Sequence, residues 1–163
     1  MSVAVHADCF DTSALVKIFT DEDGSDIVQK YFYKSTTKYT TPFCYYEALS
    51  VLKVKWLYRK LISHEEYKDA ACKLTYWFSD SIQYIHDIDL TNIETFNKVI
   101  EISTNNNLDI SDAFQILSVK EGYFSRLIND SKTILITADK DLSTAARNEG
   151  LKAWYFLKEQ QPL

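Results

Sequence analysis

The chain has 163 residues, 46% hydrophobic and 25% charged, with three glycines and two prolines. That composition belongs to an ordinary folded domain with little room for linkers, and the length suffices to bury a substantial core without staples. The net charge of −5 excludes a protein that grips nucleic acid through overall basicity, while leaving a local basic rim open. No apolar run approaches the ~18 residues of a membrane span, and no basic stretch followed by an apolar core marks a secretory leader, so a cytoplasmic protein is expected. Cys9, Cys44 and Cys72 are odd in number and far apart, as reduced thiols are. His6, His64 and His86 are equally scattered, which argues against a zinc cluster or a histidine-based triad.

In chain order, a strand at roughly 3–10 leads into a helix over about 12–19. Asp21, Glu22, Asp23, Gly24 and Ser25 form a solvated turn; they lack the alternating ligands and terminal Glu of an EF-hand. A helix follows to about 34. Pro42 opens the next helix, expected over about 43–61. Ser63 caps a helical pattern over 64–80, with Glu65 and Glu66 in its first turn. Residues 82–88 alternate enough for a short strand. Thr91 caps a helix to about 104, Asn105, Asn106 and Asn107 break the chain, and a further helix carries Asp112 to about 121. Strands are expected at 134–137 and 153–156, with a helix at 140–149 between them that Gly150 stops. Strands alternating with helices predict an α/β fold whose parallel sheet is covered on both faces.

Four carboxylates sit where this pattern turns from apolar to polar. Asp11 ends the first strand, Glu47 lies early in the helix after Pro42, Asp112 lies at the start of its helix, and Asp139 follows the strand ending in Thr137. Ligands of open α/β sheets bind beyond the carboxyl ends of strands, so these acids can converge although distant in sequence. Gathered carboxylates repel by about 1 to 4 kcal/mol per pair near 4 Å. A hard divalent cation such as Mg²⁺ or Mn²⁺ turns that repulsion into binding. The pattern points to metal-dependent hydrolysis of phosphodiesters. Glu47, among Phe43, Cys44, Tyr45, Tyr46, Ala48 and Leu49, is expected to be half-buried.

The segments around these acids resemble a known family. Asp11-Thr12-Ser13-Ala14-Leu15-Val16-Lys17, Glu47-Ala48-Leu49, Ser111-Asp112-Ala113 and Thr137-Ala138-Asp139-Lys140-Asp141-Leu142, with Ala145 to Leu151, are similar in order to the four blocks of PIN-domain ribonucleases, and most of all to VapC toxins of toxin–antitoxin pairs. The resemblance implies a PIN-like three-layer fold; the length reads as a single domain over 1–163, and the interval from Glu47 to Asp112, long for a compact VapC, adds a helical extension at about 61–104. The resemblance also implies an Mg²⁺- or Mn²⁺-dependent endoribonuclease, a cognate antitoxin and a homodimer. Asp11 and Asp112 would be the chief metal ligands, completed by Glu47 and Asp139; Asp141, Thr137 and Ser13 are secondary candidates.

Each acid has a rival reading, which for Glu47 is an ordinary exposed helix position. Asp11 suits a helix N-cap, and Asp8, three residues earlier, would face the other side of the strand. Asp109 can cap the helix while Asp112 points into the site. Asp141 is a favourable acid in a first turn. Lys17, Lys55, Arg59 and Lys60 are candidate phosphate contacts, the last three on a stretch whose cations and aromatics suit single-stranded RNA; a solvated helix face is the rival. A structure-specific DNA nuclease and a non-catalytic PIN-like binding module are the alternatives in function. A phosphotransferring Asp11 nucleophile of the dehalogenase kind needs an acid two residues later, where Ser13 stands.

Overall fold

The computed structural model describes residues 7–81, 88–126 and 133–162. Four short strands, β1 (Asp8–Phe10), β2 (Lys38–Tyr39), β3 (Ile134–Thr137) and β4 (Lys152–Tyr155), pair in the order β2-β1-β3-β4. All pairings are parallel, so each connection crosses over the sheet through helices. Between β1 and β2 run α1 (Thr12–Phe19) and α2 (Ser25–Lys34). Between β2 and β3 come α3 (Pro42–Leu57), α4 (His64–Ser81), α5 (Ile93–Asn106), α6 (Ile110–Glu121) and a 3-10 turn at Tyr123–Arg126; α7 (Lys140–Asn148) joins β3 to β4.

Strand side chains alternate between two cores. Cys9 and Leu135 pack with Val99, Phe114, Leu117 and Leu142 from α5, α6 and α7. Phe10, Ile134, Ile136 and Trp154 pack on the other face with Leu15, Val28, Leu52 and Leu74 from α1 to α4. The result is the expected three-layer α/β arrangement. Asp8, on the Phe10 side, is buried and accepts hydrogen bonds from the Tyr31 and Ser35 hydroxyls, which turns it away from Asp11 as strand alternation requires.

Local chemistry sets the helix starts. The Thr41 hydroxyl accepts from the Cys44 amide at 3.3 Å with Pro42 next to it. Ser63 and Glu66 form a reciprocal capping box, Glu66 accepting from the Ser63 amide at 2.6 Å and Ser63 from the Glu66 amide at 3.1 Å. Three expectations need correction. Asn92, not Thr91, caps α5, its side chain accepting from the Glu94 and Thr95 amides, while Thr91 donates to Asp89. The helix α3 stops at Leu57 rather than about 61: Lys60 adopts φ 54, and the Arg59 and Leu61 amides fold back onto the Val54 and Lys55 carbonyls. The two-residue strand β2 was not foreseen, and its pairing with β1 supplies the sheet edge. The strand expected at 82–88 falls largely outside the described residues, as do residues 3–6 of the first strand.

The chain leaves β1 toward β2 on one side and leaves β3 toward β4 on the other. A crevice therefore opens beyond the carboxyl ends of β1 and β3. Among the described residues, no helix is long and apolar enough to cross a membrane.

Candidate active site

A pocket of about 400 Å³ occupies that crevice, and Asp11, Glu47, Asp112 and Asp139 all line it. Four different elements deliver them. Asp11 follows β1 and caps α1; Glu47 projects from the second turn of α3; Asp112 lies in the first turn of α6; Asp139 follows β3 and caps α7.

Two hydroxyls tie the start of α1 to the end of β3. Ser13 Oγ donates to Asp11 Oδ1 at 2.8 Å and accepts from the Ala138 amide at 2.9 Å. Thr137 Oγ1 donates to Asp11 Oδ2 at 2.7 Å and accepts from the Asp139 amide at 2.9 Å. Asp11 also accepts from the Ala14 amide at 2.8 Å, so capping and site-lining coexist in one carboxylate. Glu47 accepts from Thr12 Oγ1 at 2.6 Å, and Asp139 accepts from the Asp141 and Leu142 amides at the start of α7.

Burial and like charge act on the two innermost acids. Asp11 is 4% exposed, and burial pushes its carboxyl up to about 7; hydrogen bonds from Thr137, Ala14 and Ser13 pull the other way, and the Asp112 charge adds to the rise. Asp112 is half-buried and pushed up to about 6, first by burial, then by Asp139, Glu47 and Asp109. The donor set is all carboxylate oxygen, the chemistry a hard divalent cation prefers. Among the described residues, no group of three or more His, Cys, Asp and Glu side chains stands ready to hold a metal ion. Three of the four acids are instead engaged by neighbours: Asp11 by Ser13, Thr137 and the Ala14 amide, Glu47 by Thr12, and Asp139 by the Asp141 and Leu142 amides.

Several residues depart from expectation. Glu47 is exposed rather than half-buried. Asp109 occupies the N-cap position of α6 but its side chain makes no capping bond, and it lines the pocket instead. Asp141 is exposed and outside the pocket lining, contributing its amide to Asp139. Lys17 and Lys55 line the pocket, whereas Arg59 and Lys60 are exposed beyond the end of α3. Glu22, in the acidic turn read as solvated, lines the pocket too. Val51 and Lys55 follow Glu47 at four-residue steps, a helical spacing that could have flagged them; nothing in the local sequence flags Glu22.

Behind the pocket, Gln115 is buried one turn after Asp112. It accepts from the Cys44 thiol at 3.0 Å and donates weakly to Cys9 at 3.9 Å, tying α6 to α3 and β1. Burial pushes the Cys44 thiol up to about 12 and the Cys9 thiol upward as well, so both serve as neutral packing groups.

The PIN domain family model matches residues 9–148. The chain belongs to the PIN domain family. PIN domains as a class are nucleases, hydrolases of phosphodiester bonds. A crystal structure of PAE2754 from Pyrobaculum aerophilum is similar in fold, with TM-score 0.59 and 17% sequence identity over 91% of this chain and 91% of that one. No curated protein matches the sequence.

The Thr137 hydroxyl is the sharpest test of how this PIN domain is held together. Thr137→Val leaves the buried Asp11 carboxylate and the Asp139 amide each short of a partner, which should destabilise the fold by about 1–3 kcal/mol in thermal or denaturant melts. Losing a donor to the charged form pushes the Asp11 carboxyl higher still, so the acid limb of any pH–activity profile should move to higher pH. A profile and melting curve superimposable on the wild type would refute this role.

Proposed function

We propose that this PIN domain is an Mg²⁺- or Mn²⁺-dependent endoribonuclease of the VapC toxin type, working in the cytoplasm as a homodimer controlled by a cognate antitoxin. The observation that carries the reading is the meeting of Asp11, Glu47, Asp112 and Asp139, from four separate elements, in one pocket beyond the carboxyl ends of β1 and β3. The proposal extends the nuclease character of the family to a metal, a substrate and a regulator.

In this reading Asp11 and Asp112 are the chief ligands, with Glu47 and Asp139 completing the set. The cation, when bound, acidifies water and neutralises charge on the phosphate and leaving oxygen. The chain itself positions. Ser13 and Thr137 hold both oxygens of Asp11 in a fixed direction. Glu47 and Asp139, at the exposed lip, accept hydrogen bonds from the attacking water. Lys17 and Lys55 receive RNA phosphates, with Arg59 and Lys60 further along the strand path. No side-chain nucleophile is required, and the hydroxyls nearest the acids are already committed to them.

Purified protein should cut single-stranded RNA at internal positions with Mn²⁺ or Mg²⁺ and lose all cutting with EDTA. DNA cut in preference to RNA would replace the substrate, and intact RNA and DNA under every metal would leave a binding module. Growth arrest on expression, relieved by a small protein encoded beside it, tests the toxin role.

A further inference from the structure

The pocket is not lined by acids alone: Lys17 from α1 and Lys55 from α3 share it with them, together with Val16 and Val51. Both ammoniums converge on one atom: Glu22 Oε2 accepts from Lys17 Nζ at 3.3 Å and from Lys55 Nζ at 3.1 Å. Glu22 is itself fixed. Thr20 Oγ1 donates to its other oxygen at 2.9 Å, and its amide donates to the buried Ser25 hydroxyl at 3.0 Å. Lys17 Nζ also donates to the Asp23 carbonyl at 2.8 Å. The lysine side chains are only 16% and 18% exposed, far more covered than lysines usually are.

An isolated surface ion pair explains little of this arrangement. Two cations held against one anion leave a net positive charge, inside a pocket, beside a cluster of five acids. Each ammonium has three N–H donors. Lys17 uses two and Lys55 one, so three donors remain between neighbouring side chains, enough, and of the right sign, to serve both free oxygens of a phosphodiester. We infer that Lys17 and Lys55 form one seat for a phosphate flanking the scissile bond, and that Glu22 is a positioning residue that aims both lysines at it. Lys55 stands two turns beyond Glu47 on α3, about 12 Å along the axis at 1.5 Å per residue, and both ammoniums rest on Glu22, which sets the seat beside the four acids. The inference rests on RNA as substrate, as proposed above, but is read by binding rather than by cleavage.

The test uses a short single-stranded RNA, full-length protein with Mn²⁺, and fluorescence anisotropy over a range of salt in an Asp112→Asn background that prevents turnover. A single shared phosphate predicts that Lys17→Met, Lys55→Met and the double variant each lower the slope of log affinity against log salt by the same amount, roughly 0.7. Methionine keeps the packing of the stem, and melting temperatures show whether the fold is intact. Additive losses in the double variant, or an unchanged slope in all three, overturn the shared seat. Glu22→Ala removes a negative charge, which alone would tighten RNA binding, yet freeing two long side chains should weaken it roughly tenfold. Glu22→Gln, whose amide oxygen can still face the lysines, should bind at least as well as wild type. Tighter binding in the alanine variant overturns the positioning role. RNA held with the expected slope but left uncut by the wild type would end the ribonuclease reading and keep the seat; RNA cut with no lysine dependence would do the reverse.

Discussion

Asp112→Asn should lower RNA cleavage by at least about 100-fold while leaving the metal-free protein as stable as the wild type or more so near pH 8. Loss of partners that merely orient metal ligands typically costs about 10–100-fold, and removing a ligand itself should cost more. The stability half of the expectation follows from the site's electrostatics. The Asp112 carboxyl is pushed up to about 6 by burial and by Asp139, Glu47 and Asp109. Its ionised form is therefore held against its preference, and the neutral amide relieves that strain with little change in shape. Near pH 5 the wild-type carboxyl is largely protonated, so the two proteins should melt together there and diverge as pH rises. Melts at several pH values without metal, alongside cleavage assays with Mn²⁺, measure both halves. An Asp112→Asn protein that cuts RNA at the wild-type rate removes Asp112 from the site, and one that melts below the wild type at pH 8 removes the repulsion argument.

Much of this site was legible because fold and chemistry share a signal. β1 and β3 run apolar through Cys9-Phe10 and Ile134-Leu135-Ile136, so an acid just past them breaks the pattern visibly, as Asp11 and Asp139 do. The same break marks a helix start, which is why each of these residues both caps a helix and lines the pocket. Capping and site-lining were rival readings in sequence and prove compatible in three dimensions.

The misreading of Glu47 has a plain physical source: sequence neighbours are not spatial neighbours on a helix. Glu47 sits among aromatic residues, but Phe43 and Tyr46 are 37% and 65% exposed. The face that packs inward carries Cys44, Ala48 and Leu52, and Glu47 projects from another. Glu22 shows the same limit across elements. Its turn looks like a solvated acidic loop, and only the approach of Lys55, 33 residues away, gives it a second cation. The end of α3 was misplaced because Lys60 takes a left-handed conformation without the glycine that usually announces one. A strand as short as β2 has too few residues to show any period.

The broadest expected effect is an inverted response to acid. Asp11 and Asp112 titrate near 7 and near 6 instead of near 3.8. A carboxyl whose folded pKa is raised takes up a proton on folding between its unfolded and folded values, so its contribution to stability falls as pH rises through that window. Below about 4 the proton is present in both states and nothing is lost; above about 7 the full penalty stands. For Asp11, almost wholly buried, the penalty is on the order of 4 kcal/mol. Carboxylates held low by partners, such as Glu149 beside Lys120 and Glu159 beside Arg147, act in the opposite sense, but below their ordinary range and so outside the window from about 5 to 8. Metal-free protein should therefore melt roughly 5–10 °C higher at pH 5 than at pH 8, at the few degrees per kcal/mol expected for a chain of this size. Mn²⁺ should reverse the ranking. It binds the ionised carboxylates and must displace their protons, so its stabilisation grows with the metal concentration at pH 8 and nearly vanishes at pH 5. Asp11→Asn and Asp112→Asn should each flatten the metal-free profile and blunt the Mn²⁺ response. A melting temperature that rises from pH 5 to pH 8 without metal, or a Mn²⁺ response of equal size at both, would show that the acids are neither strained nor the metal's ligands.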